Sequence, residues 1–272
     1  MGDRVPGEAG GAAETLSELP AAPRPFAVHE AVRADGEADL VRPARSLFWS
    51  ALAAGLAIGF SFFVPGLLHA RLPDAGWRPL LAALGYPVGF VLVILGRQQL
   101  FTQNTLTVIL PLLERPDART LRGVVRVWTI VLAGNLLGAV LVGWVAAATS
   151  LFTDDVRASL AEMSAPVAAL SVGDALLRGV FAGWLIALLV WLLPVAESSR
   201  VTTIFLATYV VALGSFPQIV TAVVAATYAA VVGHAPPASL AGGVLLPVLV
   251  GNILGGVVLV ASLNHAQASD SG

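Results

Sequence analysis

Gly134-Asn135-Leu136-Leu137-Gly138-Ala139-Val140 returns as Gly251-Asn252-Ile253-Leu254-Gly255-Gly256-Val257, with only Leu136 exchanged for Ile253 and Ala139 for Gly256. The copies lie 117 residues apart, each inside a long apolar run, and three hydrophobic segments fall in each half of the chain. An odd number of crossings per half turns the second half upside down relative to the first. Inverted repeats of this kind are an architecture of transporters and channels.

Composition agrees. The chain is 57% hydrophobic and 12% charged over 272 residues, with a mean hydropathy of +0.84, and its apolar runs approach the ~20 residues that cross a bilayer. A soluble fold is excluded, and the lipid bilayer is the first partner. The expected class is an all-α polytopic membrane protein with six spans, at 46–69, 79–113, 121–149, 171–194, 201–233 and 240–263. Six spans leave no room for a second folded domain. The expected organisation is a disordered tail over 1–45, a membrane domain over 46–264 and a short tail over 265–272. Residues 1–40, rich in Ala, Glu, Pro and Gly, lack the apolar core of a signal peptide and are expected to be retained.

Cysteine is absent, which excludes disulfides and thiolate metal sites. All 15 basic residues are Arg, so no mechanism here employs a lysine. Arg42, Arg45, Arg115, Arg119, Arg122, Arg126 and Arg200 fall beside the N-terminus and two connections on one side; Arg71, Arg78 and Arg157 fall on the other. Short cytoplasmic loops carry the Arg excess, so both termini are expected inside the cell, in a multi-pass protein of a bacterial inner membrane.

The second and fifth apolar segments are too long for one straight crossing and carry interruptions, at Arg97-Gln98-Gln99-Leu100-Phe101-Thr102-Gln103-Asn104 and at Gly214-Ser215-Phe216-Pro217-Gln218. Both are expected to be broken helices. Unpaired backbone at membrane depth survives only where protein buries it or a cavity borders it, so matched breaks point at a transport path. Gly134 and Gly138, like Gly251 and Gly255, form small-xxx-small faces suited to close helix packing. Two roles stand open for Asn135 and Asn252: holding a solute, or bonding backbone exposed at the preceding break. Arg97 has several: gathering anions, capping released carbonyls, or reaching the interface or a neighbouring subunit.

No catalytic residue set emerges. Asp154, Asp155 and Glu162 fall together in a region expected to be an exposed outer loop, and no nucleophile and base pair up. Phosphate-binding loops and basic tracts suited to nucleic acid are missing. His29, His69, His234 and His265 show no metal-ligand spacing along the sequence, so neither a metal site nor any cofactor is expected.

Gln99-Leu100-Phe101-Thr102-Gln103-Asn104 resembles the Glu-Leu-Phe-Thr-Gly-Asn signature of the formate/nitrite transporter family. Gly179-Val180-Phe181-Ala182-Gly183-Trp184 and the residues through Trp191 are similar to that family's fourth span, and Gly251-Asn252-Ile253-Leu254-Gly255-Gly256 to its sixth. The resemblance covers about residues 46 to 264. It implies an aquaporin-like fold of six helices, a homo-pentamer with one pore in each protomer, and passage of small monovalent anions or their conjugate acids. By motif it implies that Leu100 and Phe101 narrow the pore, that Thr102 and Asn104 line it, and that Tyr86 forms the other constriction.

The departures matter as much. The family's central His falls at Gln218, its fourth-span Asn at Gly183, a later fifth-span Asn at Ala222, and the acid of the second-span signature at Gln99. An imidazole titrates near neutrality and can give a proton to a bound anion; an amide keeps the hydrogen bonds and loses the proton. Gln218 is therefore either a polar pore residue that cannot protonate its solute or an inert capping residue. Without a titrating group in the pore, pH is expected to act on flux through the fraction of solute already protonated. Two other readings stay open: an aquaporin-like conduit for neutral molecules, and a pentameric membrane protein with a structural or regulatory role.

Overall fold

A computed structural model describes residues 25–270, which form helices and turns with no strand among the described residues. The chain begins with α1 (Pro25–Val41), and the first span is α2 (Ala44–Ala57) followed by α3 (Phe60–Arg71). The second comprises α4 (Arg78–Ala82), a 3-10 turn at Ala83–Gly85, α5 (Pro87–Leu95), α6 (Phe101–Thr107) and α7 (Ile109–Glu114). The third is α8 (Ala118–Ala148), started by Asp117, whose carboxylate accepts from the Arg119 and Thr120 N–H groups. An outer helix, α9 (Asp154–Ala168), joins the halves, and α10 (Val172–Leu192) is the fourth span. The fifth consists of α11 (Arg200–Leu213) and α12 (Ile219–Val231). The sixth runs through α13 (Pro237–Leu240), a π turn at Ala241–Leu245, α14 (Leu246–Leu254), a second π segment at Gly255–Ser262 and α15 (Leu263–Asp270).

Among the described residues, five helices are long and apolar enough to cross a membrane, and the Ile219–Val231 helix is shorter. The expected span not among these five is the fifth, 201–233. Its 14-residue and 13-residue pieces are separated by Gly214–Gln218, so neither reaches the length of a crossing alone.

The two Gly-Asn elements act as seams inside the protomer. Span three packs on span one along Gly134 and Gly138, and span six on span four along Gly251 and Gly255. A methyl group at Gly138 would lie 2.7 Å from the Leu52 carbonyl oxygen, and one at Gly255 would lie 2.1 Å from that of Val180. The facing helices supply their own glycines. A Cβ on Gly55 would sit 2.3 Å from the Asn135 carbonyl oxygen, and one on Gly183 would sit 2.2 Å from that of Asn252. Backbones this close leave no side-chain layer, which lets each Asn reach across to the neighbouring helix. Position 183, where the resemblance implies an Asn, has no space for a side chain in this packing.

Three local expectations differ from the structure. Residues 25–41 of the expected disordered tail are helical, and residues 1–24 lie outside the described residues. In α1, Val28, Val32 and Gly36 are buried at four-residue spacing, with Asp39 and Leu40 half-buried below them. That stripe is too narrow to lift the average hydropathy of an Ala- and Glu-rich stretch. The expected C-terminal tail likewise continues as helix through Asp270. The acidic region after the third span is the 15-residue α9 and not an exposed loop: Val156 and Leu160 are buried, and Met163 and Val167 pack on the core behind them.

Candidate functional site

The two chain breaks are built alike. After α5, Arg97 adopts φ 49°, and after α11, Ser215 adopts the same value. Such left-handed backbone at non-glycine residues costs of order 1–3 kcal/mol and persists only where its surroundings enforce it. Gln98 N–H then bonds back to the Val93 carbonyl, and Phe216 N–H to that of Val211. The chain resumes as helix at Phe101 and at Ile219.

The repeated asparagines bind these breaks. Asn135 Oδ1 accepts from Phe101 N–H at 2.8 Å, and its Nδ2 donates to the Gln99 carbonyl at 2.9 Å and the Ala51 carbonyl at 2.7 Å. Asn252 repeats the pattern with Ile219 N–H at 2.8 Å, the Pro217 carbonyl at 3.1 Å and the Gly179 carbonyl at 2.8 Å. Both are fully buried. Of the roles open to them from sequence, the geometry supplies the backbone one, and each amide is consumed by it.

Leu100 and Gln218 occupy equivalent positions, each immediately before a resumed helix. Gln218 Oε1 accepts from Val220 N–H at 2.9 Å and Thr221 N–H at 3.0 Å, capping α12. The cap fixes the amide's orientation, and Nε2 donates to Thr102 Oγ1 at 2.9 Å. Of the two roles the sequence left open for Gln218, pore residue or capping residue, the geometry supplies the cap, and the same amide also bonds Thr102. Leu100, Phe101, Thr102 and Gln218 are all buried. Phe101 meets the Trp128 ring edge-on with centroids 5.8 Å apart, and Trp128 Nε1 donates to the Asn104 carbonyl at 3.0 Å.

Two cavities approach this group from opposite sides. One, about 570 Å³, is bordered by α1, the first break and the end of α10, with Asp39, Arg97, Gln99, Asn104 and Arg200 in its wall. The other, about 460 Å³, is bordered by Tyr86, Arg178, Phe216, Pro217 and Thr221 among others. Tyr86 hydroxyl shares a hydrogen bond with Thr221 Oγ1 at 3.0 Å. Neither cavity wall includes Leu100, Phe101, Thr102 or Gln218. Arg97 therefore sits with Asn104 in the first cavity, Tyr86 in the second, and the remaining sequence-derived pore residues in the buried layer between them.

Asp39 is the residue that sequence reasoning missed. It reaches from α1 into the first cavity, where Oδ1 accepts from Gln99 Nε2 at 2.7 Å and Oδ2 from Asn104 Nδ2 at 3.3 Å. Burial pushes its carboxyl up to about 6, against the opposing effect of the Gln99 hydrogen bond. The sequence clue was indirect: an acid missing at position 99 invites a search for one elsewhere.

The fold also joins groups that sequence spacing separates. His29 Nε2 lies 3.1 Å from His265 Nδ1, linking α1 to α15. Ligand atoms of His29, Glu30 and Glu114 fall within 4.8 Å of one another, so the absence of ligand spacing along the chain does not hold in space. Arg33 already occupies these carboxylates, bonding Glu30 and lying 3.5 Å from Glu114. Burial, then the neighbouring His265, hold the His29 imidazole below its ordinary 6.5. A lowered value in the folded protein means that the unfolded chain binds more protons, so this contribution is full above about pH 6.5 and is lost as pH falls. The α1 to α15 contact should open on mild acidification. Limited proteolysis at pH 5.5 should cut between α1 and α2 faster than at pH 7.5, relative to cleavage elsewhere in the chain, and His29→Gln should flatten the difference.

Comparison with known proteins agrees with this architecture. The family model described as formate/nitrite transporter matches residues 26–266. An "Inner membrane protein YfdC" of Escherichia coli (strain K12) is 36% identical over 90% of this chain and 79% of its own length. A "Probable formate transporter" of Methanothermobacter thermautotrophicus is 25% identical over 77% of this chain and 84% of its own. Among solved structures, a "Pentameric formate channel with formate bound" superimposes with a TM-score of 0.68 at 24% identity, covering 81% of this chain and 95% of that one. An "FNT family ion channel" superimposes with a TM-score of 0.76 at 18% identity, over 89% and 98% respectively. The match includes α1 as well as the six spans, and the chain belongs to the formate/nitrite transporter family.

Proposed function

We propose that this chain forms a passive or proton-linked pathway across the bacterial inner membrane for small monovalent solutes of the formate and nitrite class. One pathway runs through each protomer of a homo-pentamer. The observation that carries this reading is the pair of cavities that flank a buried layer in which Gln218 bonds Thr102. Leu100 and Phe101 form the apolar constriction on the first-cavity side, and Tyr86 narrows the second. The pentameric formate channel that this chain resembles supports the assembly. The Arg-rich first-cavity side, which also carries α1 and α15, is the cytoplasmic one by the positive-inside rule.

The physics of the layer limits what crosses. Placing a bare monovalent anion in an apolar constriction costs several kcal/mol after relaxation. Gln218 offers a hydrogen-bond donor without a titratable proton, which favours neutral acids over anions at that point. A conduit for neutral molecules is the second reading, supported by the same absence of a proton donor in the layer.

Reconstitution into proteoliposomes, with flux measured for formate, nitrite, lactate, hydrosulfide and water, tests both readings. Transport of weak acids well above empty vesicles is expected. Water flux without any weak-acid flux favours the neutral conduit, and no flux of any solute overturns the pathway. Phe101→Ala should raise flux several-fold or admit larger acids such as lactate. Unchanged flux and selectivity in a folded variant would remove Phe101 from the constriction. A stable monomer or dimer by mass measurement in nanodiscs would refute the pentamer.

A further inference from the structure

We propose that Asp39 is a specificity-determining residue of the first cavity, whose carboxylate turns bare anions away from the Gln99 and Asn104 threshold and whose protonation admits them. This rests on the pathway reading above. The geometry is a closed triangle: Gln99 Nε2 donates to one Asp39 oxygen and Asn104 Nδ2 to the other, while Asn104 Nδ2 also lies 3.1 Å from Gln99 Oε1. Both amides thus point their N–H groups at a carboxylate carried by a different helix. With a carboxylate at 99 as well, two like charges would face each other at 2.7 Å. In this chain the acid stands on α1 and the amide on the span.

A second observation points the same way. Asn104 Oδ1, Gln98 Oε1 and Thr107 Oγ1 are buried without a hydrogen-bond partner, and all three residues border the same cavity. These oxygens, two of them amide carbonyls that can only accept, lie just beneath the cavity surface beside the Asp39 carboxylate. A lining of this kind suits a solute that brings its own proton and repels one that brings only negative charge. The charged residues acting on Asp39 are Asp35 on α1 and Arg42 just after it, and Arg97 after α5 and Arg200 at the start of α11 border the same cavity. Arg126 on α8 binds the Leu40 and Arg42 carbonyls beside it. These arginines gather anions in the cavity, and the Asp39 triangle then sorts them by charge. Because burial holds the Asp39 carboxyl near 6, the sorting changes within the ordinary pH range of a cell. Flux is then not set by solute protonation alone.

The test uses nitrate, the anion of a strong acid, whose protonated form is negligible from pH 5 to 8, so any pH dependence belongs to the protein. In proteoliposomes containing the full chain, nitrate flux should rise about fivefold to tenfold as pH falls from 8 to 5, with a midpoint near 6. Asp39→Asn should give high, pH-independent nitrate flux, and Asp39→Glu should restore the pH profile. Infrared difference spectra of the pentamer should show a carboxyl band titrating over the same range and missing from Asp39→Asn, a readout independent of flux. Nitrate flux that is flat with pH in the unmodified protein, or a profile that survives Asp39→Asn, overturns the proposal. Passage of undissociated formic acid with no nitrate flux at any pH also overturns it while leaving the pathway standing; no flux of either solute overturns both.

Discussion

Replacing Asn252 by Leu, which branches at the same carbon, should abolish the folded protein. Leu leaves the Ile219 N–H and the Pro217 carbonyl without partners and removes the second bond to the Gly179 carbonyl, which also serves its own helix. In a soluble protein water would relieve some of that loss; at membrane depth it cannot. Each orphaned group costs about 1–3 kcal/mol, so the two together reach a sizeable part of the roughly 5–15 kcal/mol that stabilises a typical domain. Asn135→Leu should behave alike, because it strands Phe101 N–H and the Gln99 carbonyl. Thermal melting in detergent and the yield of intact oligomer measure the effect. A solute-binding Asn would behave in the opposite way: normal melting with lost flux. That outcome would contradict the geometry.

The repeated Gly-Asn heptapeptide was legible because inverted symmetry forces the same problem on both halves. Each half breaks a helix inside the membrane, and each needs a small-residue seam plus one amide to close the break. Chemistry confined to one stretch of chain is readable in this way, and so was the alternation of apolar runs that defines the class. Contacts between distant segments were not. Asp39 meets Gln99 and Asn104 across 60 and 65 residues, and His29 meets His265 across 236. No local pattern encodes such pairings. The helix that carries Asp39 was hidden for a related reason. Only one narrow stripe of α1 is buried, and the charged and small residues around it dominate any composition average. The outer helix α9 was obscured likewise by Asp154, Asp155 and Glu162, which occupy its solvent face while Val156 and Leu160 hold it to the bundle.

Gln218 stands where the resemblance implies a His; it has a structural role in the cap and a proposed selective one, and Gln218→Glu separates the two. Glutamate keeps an oxygen for the Val220 and Thr221 N–H groups. A negative charge at the start of the 13-residue α12 is also favoured by the helix dipole. Its second oxygen can accept the Thr102 hydroxyl proton where the glutamine amide donates at present. Folding and assembly should therefore survive. At a pH high enough to keep the buried carboxylate ionised, anion passage should not: a unit charge at about 6 Å in a medium of effective dielectric near 20 raises the energy of a passing anion by ~3 kcal/mol, roughly a hundredfold in rate. Water or undissociated acid carries no charge and should be slowed little. Measuring the variant against the unmodified protein at one pH cancels the contribution of Asp39, which lies in the cavity and not in the buried layer. Gln218→Leu serves as the contrast, since it removes the cap and should lower melting temperature and every flux together. A Gln218→Glu pentamer that conducts nitrate at the unmodified rate would show that anions do not pass this side chain, and the path between the cavities would have to run elsewhere.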